Sequence, residues 1–305
     1  MRVIKTLGAA TCLAGSEDGC DSGPHVLRRS GMIGALARRH GVRLEWRRLL
    51  TPRPELGLEA SVADLCRRIH QRVRNLVEDD HPFLFMGGDH SCAMGVWSGV
   101  MRGMPRARDL GLIWIDAHMD AHTFETTPSE NIHGMPVAAL LGQADQRLAQ
   151  IYGNHPRLYP SQLVIIGARS FEPPEQALLK RLGVRVCTMG DIYRKGGLRP
   201  LLLKEIARLR HRCRRYGISI DLDAVDPDDA PGVSSAAPGG LSGAALCRAL
   251  AGLGGDPALI GLEISEFNPR NDRGHRTERL VEQLIGAVYG ETLSAGEIIS
   301  TAEFY

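Results

Sequence analysis

The chain predicts an α/β fold with a mostly parallel sheet covered by helices on both faces. Three observations carry that expectation. Apolar strand-like runs alternate with amphipathic stretches of helical period, the runs are almost continuously apolar, and three strings of Asp and His each follow directly on such a run. Residues 3–9 form the first strand. The opening stretch MRVIKTLGAATCLAGS has two basic residues and a mild apolar part, but that part is short and broken by Thr and Gly, which suits a strand better than a secretion signal. A helical period over 24–40 and a strand near 43–50 follow, then a helix near 61–78 and the wholly apolar run FLFM, Phe83–Met86, expected as a buried strand. A helix over 92–101 leads to a strand at 111–115. Residues 122–133 are polar and irregular, as expected of a loop at the carboxyl edge of the sheet. Next come a helix near 137–148, a strand at 163–167, a helix at 175–182 and a short strand at 184–188. A helix over 201–215 precedes a strand at 218–222, a helix over 242–253 precedes a strand at 259–264, and a last helix covers 278–288. No linker or internal repeat interrupts this rhythm, so 1–305 reads as one domain.

Composition sets outer limits. With 305 residues, 43% apolar and 24% charged, the chain can bury a large core and does not resemble a disordered one. A net charge of +2 is too small to imply nucleic-acid binding. The run Arg208, Arg210, Arg212, Arg214 and Arg215 falls on the helix expected over 201–215 and reads as its solvated face. The seven cysteines are scattered, with no Cys-x-x-Cys pair, which suggests reduced thiols and a cytoplasmic protein. No run approaches the ~18 apolar residues of a membrane span.

The three strings are GGDHS at 87–91, DAHMD at 116–120 and DLDAVDP at 221–227. In an extended strand alternate side chains share a face, so Asp116, His118 and Asp120 are expected to point one way, as are Asp221 and Asp223. Adding His90 gives two imidazoles and four carboxylates. Two divalent cations would balance four Asp, and six ligands are too many for one open catalytic zinc but suit a pair of metals sharing bridging Asp. Any one string alone would pass for a turn, where Gly and Asp are common for steric reasons. Three together are another matter, because burying so many carboxylates without cations is very costly. In open parallel sheets ligands bind beyond the carboxyl ends of the strands, which is where all three strings fall. Two further strings belong to that edge. Asn131-Ile132-His133-Gly134 offers His133 as a proton shuttle, and the string from Glu263 to Pro269 offers Glu266 as a carboxylate able to grip a planar cation with two hydrogen bonds.

With these motifs in this order, the chain resembles the arginase/agmatinase (ureohydrolase) family over nearly its whole length. Its loop TTPSENIHGMP is more similar to arginases than to agmatinases. The resemblance implies a three-layer α/β/α sandwich around an eight-stranded parallel sheet, two manganese ions, hydrolysis of a guanidino group to urea, and trimers or hexamers. Carried over by residue, it makes His90 and Asp120 ligands of one metal and His118 and Asp223 ligands of the other, with Asp116 and Asp221 bridging. Glu266 would hold the guanidinium of a small substrate, Asp120 would relay a proton and His133 would exchange protons with solvent. For the substrate tail, His122 stands where arginases carry an Asn, Ser129 matches their carboxylate-binding Ser, and Glu172 stands for the acid that meets the α-ammonium. L-Arginine is therefore the favoured substrate. Agmatine, guanidinobutyrate and peptidyl arginine are alternatives that change only the tail pocket. A mononuclear zinc deacetylase would need only one Asp-His-Asp set, and a non-catalytic binding protein would be marked by a lost ligand.

Overall fold

The computed structural model describes residues 1–290; the expected single domain over 1–305 thus extends past the described residues. Its sheet holds β1 (Arg2–Ala9), β2 (Val42–Leu50), β3 (Phe83–Met86), β4 (Leu110–Ile115), β5 (Leu163–Ala168), β6 (Arg185–Thr188), β7 (Arg215–Asp221) and β8 (Leu259–Ser265). The order across it is β2-β1-β3-β8-β7-β4-β5-β6, and every pairing is parallel. Strand alternation explains the continuous apolar runs. Leu84 and Met86 enter one core while Phe83 and Phe85 enter the other, and Ile113 and Ile115 divide from Leu112 and Trp114 in the same way.

The first core lies under α1 (Gly23–Arg29) and α2 (Met32–His40) together with four later helices, and the second lies under α3 (Leu58–Glu78), α4 (Cys92–Gly103), α5 (Pro136–Leu140), α6 (Gln146–Tyr152) and α7 (Pro173–Leu182). Those four later helices are α8 (Met189–Arg194), α9 (Leu198–Arg210), α10 (Gly243–Leu250) and α11 (Arg276–Tyr289). Helix α4 packs so closely under β7 that a Cβ on Gly217 would lie 2.1 Å from the Trp97 ring.

Four expectations are corrected. The helix expected over 24–40 is two helices, because Ser30 adopts an extended conformation (ψ 165) between them. The one expected over 137–148 is also two: Gly142 has φ +72, and Asp145 starts α6 by accepting the Leu148 N–H at 3.0 Å. Helix α8 was unforeseen; its cap is Thr188, which accepts from Asp191 N–H. The helix expected over 201–215 spans Leu198–Arg210 instead, so the arginines do not share one solvated face. Arg208 donates to the buried Glu205 at 2.7 Å, while Arg215 opens β7 and donates to Asp80 at 3.0 Å. Pairing of Arg215 with Leu110 in the sheet outcompetes the helical period there.

Away from the sheet edge, His70 of α3 stacks on His155 with ring centroids 4.1 Å apart. Burial, His155, Arg74 and Arg102 together push His70 down to about 4. Burial and Arg67 also lower His155. The folded state therefore keeps His70 neutral, while the unfolded chain takes up a proton at the ordinary value near 6.5. Stability from this group is complete above about pH 6.5 and is lost as pH falls toward 4, roughly 2–3 kcal/mol in all. Thermal melts at pH 7 and 5 should show a smaller acid-induced loss in His70→Gln than in the parent; equal losses would refute the assignment.

Candidate dinuclear metal centre

The four central strands, β3, β8, β7 and β4, deliver the three Asp and His strings and the Glu266 string at their carboxyl ends, while His133 lies in a 3-10 turn on the loop after β4. Ile115 pairs with Ile220, so Asp116 and Asp221 leave neighbouring strands at one level. Beyond that point the expected strand alternation fails. Strand β4 ends at Ile115 and β7 at Asp221, and Asp223 lies in a short 3-10 turn in which Asp221 accepts its N–H at 2.9 Å. Asp120 sits at φ +50, a left-handed conformation that costs a non-glycine residue energy. The peptide group that follows it is held at both ends: Val137 N–H donates to the Asp120 carbonyl at 2.9 Å, and Ala121 N–H donates to Glu175 at 3.0 Å.

The six side chains converge into two overlapping groups. His90 Nδ1 lies 3.1 Å from Asp120 Oδ2, 3.1 Å from Asp221 Oδ2 and 3.3 Å from Asp116 Oδ2. His118 Nδ1 lies 2.9 Å from Asp223 Oδ2 and 3.5 Å from Asp116 Oδ1. Asp116 thus turns one oxygen toward each histidine. All six are buried except His118, whose side chain is 29% exposed.

This donor set fits a pair of divalent cations. His90 Nδ1 and Asp120 Oδ2 are buried without a hydrogen-bond partner although they face each other. The tautomer agrees: Ser219 Oγ donates to Glu263 at 2.7 Å, so it receives the Nε2–H of His90 at 3.0 Å and leaves the Nδ1 lone pair for the cluster. Trp97 also donates to Glu263, at 2.6 Å, and Trp114 donates to Asp116 at 2.8 Å. Without cations the crowded charge can be relieved only by protons. Burial and Asp116 push Asp120 up to about 7, and burial followed by Asp223 and Asp116 raises Asp221. Burial favours neutral histidines, but the surrounding carboxylates outweigh it and raise both His90 and His118.

Glu266 stands beside this cluster at φ +67, its N–H donating to the Gly88 carbonyl at 2.7 Å. Its Oε1 accepts the His90 N–H at 2.8 Å and lies 3.0 Å from His133 Nδ1. Burial opposes charge on both partners. Their mutual attraction prevails, so Glu266 is lowered and His133 pushed up to about 10.

A single cavity is lined by His118, Asp120, His133, Asp221 and Asp223 together with His122, Ser129, Glu172 and Glu175. Glu266 is absent from that lining; it is buried, with Oε1 engaged by His133 and by the His90 N–H. His122 is buried too, with Nε2 3.0 Å from Glu172 and 3.3 Å from Glu175, so its ring is already engaged by acids. Ser129 is exposed at the rim and accepts Asn131 N–H at 3.3 Å. Sequence reasoning missed Glu175, Ser219 and Asp89. The spacing Glu172-Pro-Pro-Glu175 was a readable sign of a helix start in which Glu175 accepts the Glu172 N–H, here at 3.0 Å.

The model of the arginase family matches residues 4–290. The chain is 34% identical to an arginase of Bacillus caldovelox over 96% of its length and 100% of the relative's, and 35% identical to one of Brevibacillus brevis over 95% and 98%. Its fold superposes on the crystal structure of arginase from Bacillus cereus with a TM-score of 0.87 at 33% identity, covering 96% of this chain and all of the other. A formimidoylglutamase from Bacillus subtilis, 22% identical with a TM-score of 0.76, shares the fold. The chain belongs to the arginase family.

Proposed function

We propose that this protein hydrolyses L-arginine to L-ornithine and urea, with His90 and Asp120 holding one manganese ion, His118 and Asp223 the other, and Asp116 and Asp221 shared. The observation that carries the reading is the pair of histidines, each facing its own carboxylates across a common Asp116. When bound, the two cations supply positive charge that acidifies a water nucleophile and stabilises the charge developing during attack.

The remaining steps belong to the chain. Glu266 orients the guanidinium so that its central carbon meets the nucleophile. The Asp120 carboxylate takes the proton released as water attacks. Collapse to urea requires a proton on the departing amine. His133 carries one in its ion pair with Glu266, and a guanidinium arriving at Glu266 competes for that carboxylate and weakens the imidazole's hold on the proton.

Glu172 is about half exposed, and among the described residues no Lys or Arg lines the cavity. That charge favours a substrate tail bearing an ammonium, as in arginine or agmatine, over the lone carboxylate of 4-guanidinobutyrate; Ser129, exposed at the rim, is the residue we assign to the carboxylate that arginine adds. The seven thiols, all free, suit a reducing cytoplasm, and a trimer or hexamer is the assembly we propose. No helix among the described residues is long and apolar enough to cross a membrane. Urea release by manganese-loaded protein on arginine, agmatine, 4-guanidinobutyrate and an arginine-containing peptide tests the reading. Arginine should be turned over fastest and guanidinobutyrate slowest; inertness toward all four would refute it.

A further inference from the structure

One fully buried acid has no part in the chemistry above. Asp89 lies on the turn that carries His90, yet half of its hydrogen bonds run to another segment. Oδ1 accepts from the N–H of Ser91 at 3.1 Å and from its hydroxyl. Oδ2 accepts from Thr11 Oγ1 at 3.2 Å and from Ala14 N–H at 3.3 Å. The backbone follows the same path, Asp89 N–H donating to the Thr11 carbonyl at 3.0 Å. The approach is so close that a Cβ on Gly88 would lie 1.9 Å from that carbonyl oxygen. Ala14 in turn accepts the N–H of His133 at 3.1 Å. The path closes on itself, because His133 meets Glu266 at 3.0 Å and Glu266 accepts the N–H of His90, the residue after Asp89.

We propose that Asp89 is a positioning residue for His133: by clamping Ala14 to the His90 turn it fixes where the His133 imidazole stands relative to Glu266 and the departing amine. The proposal rests on the reading of His133 as proton donor. A plain helix-starting role for Asp89 would need only its bond to Ser91, and the two bonds to Thr11 and Ala14 have no place in that role. Asparagine separates the two. Its single carbonyl oxygen can serve Ser91 as before, but its NH2 then faces the N–H of Ala14, donor against donor.

Asp89→Asn, His133→Asn and the double variant, each loaded with manganese, give the test through kcat, KM, metal content and Tm. Asp89→Asn should keep two ions and melt near the parent. Its kcat should fall roughly 10–100-fold, the range typical of outer partners, with KM changed by no more than a few-fold. Added to His133→Asn it should cost nothing further, since both changes remove one function. A cost multiplying that of His133→Asn, or one appearing as lost metal or raised KM, would overturn the proposal alone. Full kcat in His133→Asn would overturn the reading of His133 and this proposal with it. If Asp89→Asn fails to fold, Thr11→Val removes one donor from Oδ2 and should show the same non-additivity at smaller scale; an additive cost there overturns the proposal equally.

Discussion

Asp120→Asn is expected to release one of two bound manganese ions and to lower urea release by at least on the order of 10²-fold, beyond what loss of an outer partner costs. Asn is the right probe because it tolerates the left-handed backbone at φ +50, so the change isolates charge from strain. The carboxylate has one close histidine, at 3.1 Å, and its Oδ2 has no other partner to compensate for its loss. Asp223→Asn should empty the other position, where His118 is 2.9 Å away. Elemental analysis after dialysis distinguishes the outcomes: about one ion per chain supports the assignments, and two ions held as tightly as in the parent would remove Asp120 or Asp223 from the ligand set.

Glu266→Gln should give the second large loss with the opposite metal result. Both ions stay, because Glu266 touches the cluster only through the His90 N–H, a bond that an amide oxygen can still accept. What disappears is a buried negative charge facing a guanidinium, worth about 2–5 kcal/mol in comparable charged pairs, or roughly 30- to several-thousand-fold in kcat/KM. His133 loses its counter-ion as well, so its pKa should fall from the raised value and the alkaline limb of the pH profile should move to lower pH. Normal turnover in Glu266→Gln would end the proposed role of this residue in orienting substrate.

Much of this architecture was legible in the residues because burial on both faces demands unbroken apolar strands, as FLFM shows. Helix interruptions were harder to see: the breaks near Ser30 and Gly142 depend on single backbone angles that a helical period passes over. The convergence of Asp116, His118 and Asp120 was expected for a reason that does not apply, since the strand stops at Ile115 and a strained turn does the gathering. Supporting groups were illegible on their own. Glu175 meets Ala121 across 54 positions, Asp89 meets Ala14 across 75, and Ser219 meets His90 across 129, separations that no local pattern encodes.

The position of β7 and β8 between β3 and β4 has a consequence for the order in which this protein matures. As the chain leaves the ribosome, the segments bearing His90 and Asp116 appear long before Asp221, Asp223 and Glu266, and β3 and β4 cannot belong to one sheet until β7 and β8 lie between them. Non-local parallel pairing is slow. A nascent or truncated chain lacking residues past 215 therefore carries only four of the six proposed ligands, without Asp221 and Asp223, and tight uptake of two ions reports completed insertion.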